Sequence, residues 1–303
     1  MASPLRPLVT PVRFGTHQLP PIGLVVLAAI GAVFLAVIVA TAWPHPTDEQ
    51  AYWRAAERLA AGEPVYSTAS VPGDVSYGYW YPPPLAQVLA PLTGVASAEG
   101  FSIAWTILVL GCLWWLAGRD VLVALALIAF LPVAVELRVR NVHLLLAVLL
   151  VLALRRSWVF WIPAAAIKVA PALGILYLAA ARRVREAILV TVAGLLVLGA
   201  SIALAPGLWG SFAEVVLGRA GTETASILPI PFAIRFVAGA ALAALGGWIG
   251  GRRGEGLLVV GVTLANPTLW ATALSLLVAL VPLWRSSPPP APKPAVQPAL
   301  SAT

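Results

Sequence analysis

The chain alternates between long apolar runs and short charged links. Residues 22–42 carry no charge, and further apolar runs cover 101–117, 121–135, 142–154, 158–167, 170–181, 187–205, 231–249, 256–266 and 268–284. At 1.5 Å rise per residue, about 20 residues cross a hydrocarbon core about 30 Å thick. The first run is long enough, and longer than the apolar region of a signal peptide, about 7–15 residues. It is read as a retained first span, although Ala40-Thr41-Ala42 has the look of a cleavage site. Several later runs are too short to cross as straight isolated helices. Four of these form two pairs, broken at Lys168-Val169-Ala170-Pro171 and at Asn266-Pro267. Proline disfavours helix at the residue before it, so each pair is one kinked helix or a hairpin turning within the membrane.

Charge placement chooses between the two. With a cytoplasmic N-terminus and both pairs as hairpins, the inner side holds 12 of the 19 basic residues and three of the 12 acids. Read as one span, the first pair would instead put Arg182, Arg183 and Arg185 outside, against the positive-inside bias. Hairpins are therefore expected. The chain reads as an all-α polytopic integral membrane protein with about ten hydrophobic segments and both termini cytoplasmic. Residues 1–21 form a cytoplasmic segment and 22–285 the transmembrane domain, with 44–98 as a large first extracytoplasmic loop. Residues 286–303 contain six prolines and one charge, a disordered cytoplasmic tail by composition.

Composition agrees. Of 303 residues, 60% are hydrophobic and only 10% charged, with a mean hydropathy of +0.93; this excludes a water-soluble globule. The net charge of +7 comes from basic residues set singly or in pairs beside apolar runs. That is membrane topology and no nucleic-acid footprint. A lone cysteine, Cys112, excludes an intramolecular disulfide, and His17, His45 and His143 lack metal-ligand spacing.

Candidate chemistry gathers in the outer segments. Thr47 followed by Gln50 predicts a capping box. Tyr52, Ala55, Ala56 and Leu59 then mark one apolar face up to Gly62, an amphipathic helix on the outer membrane surface. Asp48 is either a first-turn acid complementing the helix dipole or a general base, with Glu49 in reserve. The run Tyr77-Gly78-Tyr79-Trp80-Tyr81-Pro82-Pro83-Pro84 is either an aromatic belt or a platform stacking on a sugar. The segment from Glu136 to His143 is a charged outer link. Lys168 tips the first hairpin, about 15 Å along a helix from Trp158. Ionisable residues at membrane depth suggest function by default. Arg138, Arg140, Lys168 and Arg235 together suit a lipid phosphate or pyrophosphate, which Arg grips as a fork and Lys as a point charge.

These stretches resemble glycosyltransferase family 87, membrane enzymes of the GT-C type. The resemblance rests on Asp48-x3-Tyr52-Trp53-x-Ala55-Ala56, Gly62-x-Pro64-Val65-Tyr66 and Tyr81-Pro82-Pro83 in the first loop. It continues in order through Arg138 to Leu145, Ala165-Ala166-Ile167-Lys168-Val169-Ala170-Pro171 and Asn266-Pro267-Thr268-Leu269-Trp270, spanning roughly residues 20 to 285. The chain departs where Ala271, Thr272 and Ala273 stand in place of a histidine common in the family; His143 is one candidate substitute.

The resemblance implies a polyprenyl-phosphate-mannose donor, a lipid or glycan acceptor, and transfer with inversion; charge placement sets this on the outer face, and the Ala-, Val- and Arg-rich composition suggests a bacterial cell membrane. It implies Asp48 as base and Arg138, Arg140, Lys168 and Arg235 on the donor phosphate. Tyr52, Tyr81, Asn141, His143, Asn266 and Trp270 would contact substrate. The acceptor cleft is expected in residues 206–229. No cofactor is required, and a divalent metal stays open. Other readings are transfer of another polyprenyl-linked sugar such as arabinofuranose, a polyprenyl-lipid flippase, and an inactive lipid-binding relative.

Overall fold

The computed structural model describes residues 12–14, 17–41, 47–66, 78–219 and 226–285. His45, Tyr77, residues 220–225 of the expected acceptor region and the proline-rich tail lie outside the described residues. The fold is helical apart from a short antiparallel ribbon in which β1 (Val12–Phe14) pairs with β2 (His17–Leu19). Among the described residues, four helices are long and apolar enough to cross a membrane: α1 (Ile22–Thr41), α4 (Ala98–Leu116), α10 (Val184–Leu204) and α12 (Phe232–Ile249). Before α4 come α2 (Asp48–Ala60) and α3 (Pro83–Leu89). After it come α5 (Val121–Ile128), α6 (Leu131–Val139), α7 (His143–Arg155), α8 (Trp161–Ile167) and α9 (Gly174–Ala180). The rest are α11 (Pro206–Arg219), α13 (Gly251–Leu264) and α14 (Leu280–Arg285).

The run 121–135 is not one straight helix. It folds as α5 and α6, bent by 90°. Phe130 is extended and Pro132 lies in the first turn of α6, where its missing N–H starts a helix more readily than it continues one. With the bent pair counted as one span, the candidates number up to five.

Both broken pairs double back. In the first, Trp158 lines the same cavity as Arg182, Arg183 and Arg185, so the two ends of segment 158–181 lie together. Between them Gly174 of α9 sits against the Trp161 ring of α8, where a Cβ would come within 2.5 Å of it. In the second, Arg155 donates to Glu255 near the start of α13 at 2.8 Å and to the Leu283 carbonyl in α14 at 2.9 Å. Arg285 reaches the Ala117 carbonyl at the foot of α4. Arg155, Arg182, Arg183 and Arg285 thus mark one basic end of the bundle, from which both hairpins rise.

Glycine allows the closest packing. Gly246 of α12 faces Gly254 of α13, and a Cβ at Gly246 would lie 2.4 Å from the Gly254 carbonyl oxygen. Gly239 and Gly261 meet in the same way about two turns along. Valines and leucines of α1, α10 and α12 are exposed over much of their length, as side chains facing lipid are.

Helix α2 forms where its periodicity places it, but Thr47 makes no side-chain cap and the capping box is absent. Its apolar face does not lie in the bilayer surface. Tyr52, Ala55 and Ala56 are fully or almost fully buried, packed on α3, α4 and the 3-10 turn Ala90–Gly94. Segment 206–219, expected as part of a variable outer loop, is the helix α11.

Candidate active site

The end of the bundle opposite the basic cluster gathers polar side chains from four separate parts of the chain. The turn after α2 comes first. Gly62 adopts φ +72°, which reverses the chain at the end of the helix. Tyr66 then donates to the Tyr81 carbonyl at 2.7 Å, and Tyr79 donates to the Pro82 carbonyl at 2.9 Å while accepting from the Ala86 N–H. These bonds fix Tyr81 beneath the start of α2, its ring 4.8 Å from that of Tyr52 and nearly perpendicular to it.

Asn141 sits in the two-residue link between Arg140, which ends α6 in the left-handed region at φ +54°, and α7. Its Oδ1 accepts from Tyr81 at 2.9 Å, from Tyr52 at 3.2 Å and from the Val142 N–H at 2.6 Å. With the carbonyl oxygen so occupied, the amide nitrogen points the other way and donates to Asp48 Oδ2. The base candidate is thus held by an amide whose own orientation two tyrosines settle. Burial, with the Glu136 carboxylate behind it, raises the Asp48 carboxyl from the ordinary value of 3.8 to about 7, against the opposing pull of Lys168 and Asn141. Such a carboxyl is matched to accepting a proton near neutrality.

Lys168 emerges at the tip of the first hairpin. It is extended between α8 and the 3-10 turn Ala170–Leu173, which Pro171 helps start. Its ammonium lies 5.2 Å from the centroid of the Tyr81 ring and 2.7 Å from His143 Nε2. His143 Nδ1 in turn lies 3.0 Å from Glu136 Oε2.

Other sequence candidates lie apart from this network. Glu49 is fully buried, its Oε1 3.0 Å from Arg140 Nη2 and accepting from Ser102 at 3.0 Å. The reserve carboxylate and one of the four cations thus neutralise each other. Arg138 is exposed on the outer surface of α6. Arg235 is buried, and its guanidinium donates to the carbonyls of Ile230, Leu264, Asn266 and Pro267. It closes the free C-terminal carbonyls of α13 at the chain break, a structural use of the cation. The four cations therefore do not converge; Lys168 alone of them stands beside Asp48 and Tyr81. Asn266 spends its amide on the Val262 and Thr263 carbonyls. Trp270, half-buried, precedes the 3-10 stretch Ala271–Ala279.

Glu136 gave little signal as a site residue. In sequence it is one carboxylate in a charged link, but the bend between α5 and α6 carries it inside, fully buried. An acid seven residues before a histidine has no recognised spacing; only the general cost of membrane-depth charge marked it.

Beside the polar network runs an apolar groove of about 310 Å³ between α8 and α10. Pro82 and Val169, the chain neighbours of Tyr81 and Lys168, line it together with Trp161, Val190 and Leu198.

A helical membrane protein with a half-buried carboxylate, an amide and a lysine at one end suits group transfer at the membrane surface. The family model of glycosyltransferase family 87 matches residues 79–297. The chain belongs to that family and is a membrane glycosyltransferase. No curated protein and no solved structure gives a match. The matched span includes Tyr81, Glu136, Asn141, His143 and Lys168 but begins after α2, so Asp48 joins them through the geometry above.

Proposed function

We propose that this glycosyltransferase moves mannose from polyprenyl-phosphate-mannose to a hydroxyl of a lipid or glycan acceptor, with inversion at the anomeric carbon. The observation that carries the reading is the Asp48 carboxyl at about 7, joined through Asn141 to Tyr81, whose ring carries the Lys168 ammonium. The choice of mannose and of a polyprenyl carrier rests on the motif resemblance in the first loop and around Lys168.

The acceptor oxygen attacks the anomeric carbon as Asp48 takes its proton. A carbon–oxygen bond forms, the bond from the anomeric carbon to the phosphate oxygen breaks, and the polyprenyl phosphate leaves with one more negative charge. Lys168 stands where that charge develops. The groove beside Pro82 and Val169 suits the first isoprene units, leaving the phosphate at its polar mouth. No step is assigned to a metal.

In this reading the ten apolar runs of the sequence, with two of their pairs as hairpins, leave both termini and the basic end in the cytoplasm. Asp48 then faces the extracytoplasmic side of a bacterial cell membrane, where a lipid-borne donor needs no nucleotide. The reading is tested in proteoliposomes with radiolabelled polyprenyl-phosphate-mannose and a lipid extract. Wild type is expected to label a glycolipid, and Asp48→Asn to lose at least about 100-fold of that rate while still binding donor. Unchanged transfer by Asp48→Asn would remove Asp48 from the reaction.

A further inference from the structure

Two buried side chains and a half-buried one, from three elements, form a line behind the candidate base: Glu136 on α6, His143 at the start of α7, and Lys168 at the hairpin tip. The first two sit at 0% and 1% exposure. The line is anchored in backbone. Glu136 Oε1 accepts from the His143 N–H at 2.6 Å and from the Leu144 N–H at 3.3 Å, two of the free donors at the start of α7. This leaves Oε2 directed at His143 Nδ1, 3.0 Å away.

With Lys168 carrying its proton, the donor and acceptor roles follow from this geometry. An ammonium only donates, so His143 Nε2, at 2.7 Å from Lys168 Nζ, must accept. The imidazole proton therefore sits on Nδ1, where the Glu136 carboxylate receives it. A carboxylate that caps a helix thus also selects a histidine tautomer, and the tautomer takes hold of the lysine. One of the three ammonium hydrogens is used on His143, and the head stands over the Tyr81 ring with the others free to meet an anion.

We infer that Glu136 and His143 are positioning residues, which hold the Lys168 ammonium at the Tyr81 face to meet the phosphate of a polyprenyl-linked donor. The phosphate part rests on the proposed function; the holding of Lys168 does not. Their effect passes through Lys168, and neither need touch substrate. The arrangement also spares ordering of a long, flexible side chain when donor arrives, a cost that otherwise weakens binding.

Glu136→Gln separates this from a purely structural helix cap. Its carboxamide oxygen still accepts from the N–H groups of His143 and Leu144. Its NH₂ now faces Nδ1 and forces the proton onto Nε2, donor against donor with Lys168. The experiment uses the full chain in nanodiscs with ¹⁵N-labelled histidine. Only His17, His45 and His143 contribute, and the signal lost in His143→Asn assigns the one of interest.

Wild type is expected to show His143 with a protonated Nδ1 and an accepting Nε2, and Glu136→Gln to shift it to the other tautomer. In parallel, binding of polyprenyl phosphate is expected to weaken about tenfold in Glu136→Gln, as for loss of one charge-assisted hydrogen bond. Lys168→Met is expected to weaken it at least as much, and the double variant no further than Lys168→Met alone.

A wild-type His143 protonated on Nε2, or additive losses in the double variant, would overturn the inference. The wild-type spectrum decides the first point even if Glu136→Gln fails to fold. If wild type does not bind polyprenyl phosphate, the proposed donor falls, and the spectra still decide the holding of Lys168.

Discussion

Asp48 carries the sharpest consequence at the scale of single residues. A base must be ionised, so sugar transfer is expected to rise with pH through about 7 and then level off. The check is kcat/KM measured from about pH 5 to 9. The same shift has a stability side with its own sign. The folded carboxyl binds its proton more tightly than the unfolded one, so Asp48 costs stability above its ordinary value, increasingly up to about 7. Asp48→Asn should therefore melt higher than wild type above pH 7, the difference shrinking as pH falls towards about 4. Lys168 was legible in the sequence because an ionisable residue is costly at membrane depth, Asp48 because it opens a periodic helix in the outer loop, and Asn141 only through the family motif. Their pairing was not, since it depends on which carbonyl or carboxylate lies within 3 Å after folding. Arg235 makes the point: its cost was visible, but its four backbone partners were not.

Apolar runs located the helices at the scale of elements, because length and hydropathy survive folding in lipid. Breaks were less legible. Prolines at 171 and 267 marked the two hairpins, whereas Pro132 inside an apolar run marked a 90° bend that run length alone concealed. Helix α2 was found by periodicity, yet its apolar face meets protein instead of lipid, and periodicity says only that a face is apolar. The glycine contacts between α12 and α13 give a test at this scale. Gly246→Ala places a methyl 2.4 Å from a backbone oxygen and should cost about 1–3 kcal/mol in detergent melts. Gly199→Ala on α10, with nothing within 4 Å, should be neutral or stabilising by about 0.5–1 kcal/mol.

The whole molecule has two unlike ends, a basic one that roots both hairpins and a polar one that holds Asp48. Positive charge made that asymmetry legible from sequence, while the meeting of Glu136, His143 and Lys168 required the bend and the hairpin to form together. The rooting has a mechanical result. Lys168 stands on a post fixed at the basic face, whereas Asp48 belongs to a helix docked at the opposite face. The two groups thus hang from opposite ends of the bundle and meet only through Asn141 and Tyr81, so their spacing is expected to respond to bilayer thickness. Lipids thinner or thicker than the protein's own span would tilt the long helices without lengthening the post. Transfer measured in vesicles of graded acyl-chain length should peak at one thickness and fall on both sides, while a flat response would show that the two faces move as one rigid block.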